Sequence, residues 1–313
     1  IAYYPHPKSC IYKLNSRIKN YTLDISKVNQ EASNLHVKCS FSLDFQNKDS
    51  VSMNFGGGQE FSIDNLNINS GEFEYELYLE SKSIVFRKVS SRKISVNMTY
   101  NYTNLSSFFI YGKGDAELWE TSFGEYFYPY VPNTFMDVAL NVETPDSLSL
   151  ICSYPLDSDD TMKYSGKFSR ILSQSLTLAF IRDEAYQRTD EYIPGKLSIY
   201  QIKDMQCGKE RYEELLALTE AAIVFFGGIY GEDYISAERK VTALPVFLFH
   251  NGEGFSNRYN IGFISASQEK LSTKPDIYPL MHEIGHRWLG EWTLLIDDGQ
   301  PGAYFIKETL NEF

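Results

Sequence analysis

His282-Glu283-Ile284-Gly285-His286 is the stretch whose residue types and spacing could do chemistry. On a helix, side chains four residues apart project from one face a turn apart, so the two imidazoles can grip one metal ion. The carboxylate of Glu283 lies beside that ion, where it can take a proton from a water molecule held there. Such an arrangement performs hydrolysis. Only five histidines occur among 313 residues, so this spacing is uncommon by chance. A catalytic zinc site keeps three protein ligands and leaves a fourth position open. Glu308 is the best third candidate, because it falls on a second predicted helix after the turn-forming run from Asp297 to Gly302. Glu291 competes, but five residues past His286 it points about 140° round the helix. Asp297 and Asp298 read as solvated loop carboxylates.

The helix that must carry the motif is predicted over Asp276–Gly290, with Pro279 in its first turn, where a missing N–H is tolerated. Ahead of it, Val241–His250 and Ile261–Ala266 read as strands. Gly208–Tyr230 reads as a helix whose apolar face is Tyr212, Leu215, Leu216, Ala222, Phe225, Phe226 and Ile229, ended by Gly227-Gly228 and Gly231. The first half is β in character. Leu35–Phe45, Glu72–Leu79, Ser83–Val89 and Lys93–Tyr100 alternate apolar and polar residues, and Thr134–Val142, Leu148–Ser153, Ser175–Ile181 and Lys196–Ile202 follow. Turn residues separate them at Asn47–Asp49, Gly56–Gly58, Asn69–Gly71 and Lys113-Gly114. The triple glycine reads as a loop, since no phosphate-binding Gly-Lys-Ser/Thr follows. The expected architecture is therefore β plus α/β in two domains. An N-terminal antiparallel β-sandwich spans 1–195, and 196–313 holds a mixed sheet followed by helices.

Composition narrows the function classes. Hydrophobic residues make up 43% and aromatics 15%, with 23 Tyr and 21 Phe, which is globular rather than disordered. A formal net charge of −12 argues against a nucleic-acid partner and disfavours anionic membranes. No run approaches transmembrane length and no basic-then-apolar leader opens the chain. It starts at Ile1 rather than Met and is read as a trimmed segment whose targeting signal is not legible. Cys10, Cys39, Cys152 and Cys207 are scattered without Cys-x-x-Cys spacing, so neither a cysteine metal site nor a disulfide scaffold is expected. Asn20, Asn97, Asn101 and Asn104 begin Asn-x-Ser/Thr triplets that a chain rich in Asn and Ser yields by chance, and the compartment stays open.

A histidine-glutamate-x-x-histidine helix followed by a glutamate on a later helix resembles the thermolysin-like (gluzincin) zinc metallopeptidases. Within these, His282-Glu-Ile-Gly-His-Arg-Trp-Leu-Gly290 is similar to the motif helix of the alanyl aminopeptidase family. Tyr128–Phe135, Ser175–Ile181 and Tyr234–Phe249 are similar to other stretches of that family, so the resemblance spans roughly residues 110–313. It implies one zinc ion bound by His282, His286 and Glu308, with Glu283 activating the attacking water. It also implies that Glu312, one turn past Glu308, orients a ligand histidine. The implied activity is hydrolysis of peptide substrates, as an aminopeptidase, with a C-terminal helical domain in the full-length protein.

Three departures accompany the resemblance. The 21 residues between His286 and Glu308 are about three more than usual in the family, a cheap change because loop closure cost grows slowly with length. Where the family's Gly-x-Met-Glu-Asn places a glutamate on the substrate's free amine, this chain reads Ser256-Asn-Arg-Tyr-Asn260, so Tyr259 takes that place, beside Asn260 and Gly262 as substrate-binding candidates. Glu253 and Glu117 are substitutes from neighbouring loops. Last, the sequence stops at Phe313 inside the helix bearing Glu308, so an incomplete active site is expected, with the oxyanion-stabilising tyrosine beyond. An endopeptidase and a catalytically silent peptidase-like binding or regulatory module are the alternatives.

Overall fold

Strand β1 (Ile18–Asn29) and strand β2 (Asn34–Asp44) pair antiparallel at the centre of the larger sheet. Inward residues alternate along them: Leu23 and Ile25 on β1, then Leu35, Val37, Cys39, Phe41 and Leu43 on β2. Ile18 and Tyr21 both face inward although they are three apart. A register shift between Lys19 and Thr22, with Asn20 at φ 54°, accounts for this, since a bulge changes which parity faces the core. The computed structural model describes residues 18–29, 34–55, 62–68, 73–103, 118–120, 128–131, 134–145, 148–152, 154, 156–159, 162–173, 176, 178–182, 186–189, 198–202, 209–230, 246–250, 263–267 and 277–285.

The strands that follow are β3 (Ser50–Asn54), β4 (Ser62–Ile68), β5 (Glu74–Tyr78), β6 (Ser83–Arg87), β7 (Lys93–Thr103), β8 (Leu118–Glu120), β9 (Phe135–Glu143), β10 (Leu148–Cys152), β11 (Asp157–Ser158), β12 (Lys163–Leu172) and β13 (Leu178–Arg182). They form a seven-stranded sheet in the order β11-β12-β9-β1-β2-β7-β4, and two three-stranded sheets, β10-β13-β8 and β3-β6-β5. The expectation of purely antiparallel sheets is corrected: β1 and β9 run parallel, with Leu23 beside Leu140. A parallel pair needs a long crossover, and that distance in sequence hides it from a reading of neighbouring strands.

One hydrophobic core joins residues from all three sheets. Phe86 of β6 meets Phe41 of β2 edge-on at 6.2 Å and Phe73 at 5.6 Å. Tyr21 stacks on Phe41 at 5.6 Å and donates its hydroxyl to the Pro129 carbonyl at 2.8 Å. Tyr128, fully buried, donates to the Ser173 carbonyl at 3.0 Å. Buried phenols without such partners would cost stability, so these bonds let large rings fill the core. Burial pushes the Cys39 thiol up to about 12, against a hydrogen bond with Tyr21 that lowers it.

The second unit holds β14 (Tyr186–Thr189), β15 (Ser198–Ile202), β16 (Val246–His250), β17 (Phe263–Ser267), helix α1 (Lys209–Tyr230) and helix α2 (Ile277–Gly285). Its sheet runs β14-β15-β16-β17; β14 pairs antiparallel with β15, and the other pairs are parallel. The expected mixed sheet is there. One compact unit comprises Ile1–Ile110 and Trp119–Phe180, the other Tyr111–Leu118 and Ile181–Phe313.

Two expectations for α1 are corrected. Phe225 and Ile229 are 50% and 56% exposed, while Tyr212, Leu215, Leu216, Thr219, Ala222 and Phe226 form the buried stripe. Phe225 falls beside that stripe, and Ile229 lies in the final turn past its last buried residue. Gly227 and Gly228 do not end the helix, which continues to Tyr230. Among the described residues no helix is long and apolar enough to cross a membrane. The expectations at Gly56–Gly58, Asn69–Gly71, Lys113-Gly114 and Gly231, at Cys10, Cys207 and Asn104, and for the strand before Val246 and the helix beyond Gly285, lie outside the described residues.

Candidate functional site

Helix α2 reads Ile277-Tyr-Pro-Leu-Met-His-Glu-Ile-Gly285. Pro279 sits in the first turn, as its missing N–H requires. Leu280 and Ile284, one turn apart, are 2% and 1% exposed and fix which way the helix faces. α2 packs on α1 within the same unit. Burying both aliphatic side chains is worth roughly 1.5–3 kcal/mol each. The neighbouring polar side chains are thereby held close to the protein interior.

His282 has a side chain 12% exposed and Glu283 one 6% exposed, and the imidazole Nε2 lies 4.0 Å from the Glu283 Oε1. That approach is an ion pair only when the imidazole is protonated. A neutral imidazole is the form that binds a metal. Of the three residues expected to hold zinc, His282 alone is described, and its imidazole nitrogen is an ordinary donor to that ion.

Of the expected site residues, His282 and Glu283, neighbours in the sequence, are the two that are described. His286, Glu308, Glu312, Tyr259, Asn260 and Gly262 lie outside the described residues, as do Glu117, Glu253, Glu291, Asp297 and Asp298. Among the described residues no group of three His, Cys, Asp or Glu side chains is placed to hold a metal. Gln201 on β15 and Thr219 on α1 are buried polar residues of this unit that the sequence did not single out. Thr219 donates its hydroxyl to the Leu215 carbonyl at 2.7 Å, a bond internal to its helix.

A groove of about 580 Å³ crosses the outer face of the seven-stranded sheet in the first unit. Cross-strand neighbours Lys38, Asp24, Asn141, Ser165 and Asp157 line it in one row. Its polar groups bond one another, with the Asn141 amide donating to Asp24 at 2.6 Å. None of the candidate residues lines it.

No protein-family profile and no curated protein sequence matches this chain. Its fold does match solved structures. Native leukotriene A4 hydrolase from Saccharomyces cerevisiae superposes with a TM-score of 0.63 at 14% identity, over 87% of this chain and 44% of that one. A second structure of the native yeast enzyme gives 0.62 at 14%, over 88% and 44%. The yeast enzyme in complex with bestatin gives 0.58 at 15%, over 88% and 44%. Likeness at this identity is likeness of fold. The chain spans less than half the length of the solved structures it matches.

Proposed function

We propose that this chain is part of a zinc-dependent peptidase, and that the whole protein releases residues from the amino end of peptides. The observation that carries the reading is the nearly buried His282–Glu283 pair on α2, the start of a His-Glu-x-x-His sequence, on a fold shared with a hydrolase. His282, His286 and Glu308 would hold the ion, which when bound supplies acidity toward the attacking water and the scissile carbonyl. Glu283 accepts the water's proton as its oxygen attacks, then returns that proton to the leaving amine. Glu312 receives a ligand histidine's ring N–H and keeps the ring in line. Tyr259, Asn260 and Gly262 border the substrate.

Glu283→Gln tests this directly in the whole protein. Peptide hydrolysis is expected to fall by about 10²–10⁴-fold, the usual worth of a general base. Zinc content, read by elemental mass spectrometry, is expected to stay at the wild-type level. Undiminished turnover in the variant sinks the assignment.

One sequence observation favours a second reading of substrate choice. Tyr259 offers no charge to a free ammonium. Matched peptides with free and blocked amino ends separate the two: preference for the free end supports the aminopeptidase, and equal cleavage makes it an endopeptidase. Binding of both without turnover would make the chain a silent peptide-binding module.

A further inference from the structure

Strand β5 is the outer strand of the β3-β6-β5 sheet, and no described strand pairs with its far edge. All five of its residues are exposed. Its sequence, Glu74-Tyr-Glu-Leu-Tyr78, alternates so that Glu74 and Glu76 share one face and Tyr75 and Leu77 the other.

The apolar face lies against the core through β6 and is itself partly exposed. Tyr75 and Leu77 stand opposite Phe86 and Ile84 on β6, both at 0% exposure, yet are themselves 37% and 36% exposed. Leu79, just past the strand, is 68% exposed. Phe73, at 4% exposure, anchors the start of the strand 5.6 Å from Phe86.

The other face is acidic. Arg87 lies opposite Glu74 and bonds Glu76 at 2.8 Å, so one guanidinium stands against two exposed carboxylates. A second copy of the strand is a poor occupant. With the apolar faces aligned, antiparallel pairing centred on Tyr75 sets Glu74 against Glu76, pairing centred on Glu76 sets that residue against itself, and pairing centred on Leu77 sets Glu74 against Glu80. Like charges directly opposite are destabilising, and opposite charges stabilise.

We propose that the outer edge of β5 binds an extended polypeptide segment that alternates apolar and basic residues. Its backbone adds a strand to the sheet. Its apolar side chains extend the Tyr75–Leu77 face, and its lysines or arginines stand opposite Glu74 and Glu76.

The probes are a short labelled peptide alternating lysine and valine and its glutamate–valine counterpart, followed by fluorescence anisotropy at low salt. The lysine peptide is expected to bind, to weaken with salt, and to protect the amides of residues 74–78 from hydrogen exchange. Glu74→Lys with Glu76→Lys is expected to lower its affinity about tenfold, from two cross-strand pairs reversed. The same charge change at exposed Glu210 and Glu213 on α1 leaves the affinity unchanged. Equal binding of both peptides, equal loss in the two charge-reversed proteins, or binding without protection of β5 overturns the proposal. So does self-association of the chain that Glu74→Lys abolishes, which would make a second copy the occupant.

Discussion

At the scale of single residues, burial sets the chemistry of the polar side chains. Cys39, buried in the sheet beside Tyr21, has its thiol pushed up to about 12 by burial, against an ordinary 9.0. A thiol held neutral there is a poor nucleophile, so Cys39 is expected to react with thiol reagents only on unfolding. The same burial has a consequence for pH. Because the folded pKa is raised, the unfolded chain loses this proton first. The stability tied to the neutral thiol is fully present below about pH 9 and is lost as pH rises towards about 12. Tyr21, also raised well above its usual range by burial and then by Cys39, acts in the same direction. In Cys39→Val the fall of urea-unfolding free energy with alkali should be shallower by about one proton, about 1.4 kcal/mol per pH unit. An unchanged slope would mean that the thiol does not titrate with unfolding.

At the scale of elements, local patterning was readable where a segment alternates cleanly. β2, β7 and β9 are cases, and so are the two helices. It failed where an element breaks its own period. β1 went unseen because the bulge at Asn20 moves its inward residues from even to odd positions. β12 has the same defect between Phe168 and Ile171, and Gly166 in its middle reads as a breaker. That glycine has a packing role: a Cβ there would meet the Phe168 ring at 2.5 Å and Leu156 at 2.9 Å. Gly166→Ala is expected to lower stability by about 1–3 kcal/mol, the usual cost of overpacking, read as a lower urea midpoint. On α1 the sequence grouped Phe225 with Phe226, but only Phe226 is buried. Phe226→Ala should therefore cost about 3–5 kcal/mol, and Phe225→Ser should stay within about 0.5 kcal/mol of wild type. Equal losses would place both rings in the core.

At the scale of the whole molecule, the fold matches a hydrolase over 87% of this chain at only 14% identity. Packing tolerates wholesale exchange of apolar residues if pattern and volume persist. The proposed chemistry rests on the sequence, where a metal motif stands out because it needs particular residues at a fixed spacing. The parallel pairing of β1 with β9 was not, since nothing local records which distant strands become neighbours. Two compact units, each with its own buried side chains, also bear on metal binding. If the ion is held through α2, its binding energy stabilises the unit that contains α2, by about 2.7 kcal/mol at a hundredfold excess over Kd. Removing zinc with a chelator should therefore speed hydrogen exchange in residues 277–285, and that exchange should slow again when zinc returns. Exchange across β2 and β7, in the other unit, should not change. His282→Ala should show the fast exchange in α2 with or without zinc. Chelation that left α2 protected would separate the motif from metal binding. Loss of protection in both units together would show one cooperative fold in place of two.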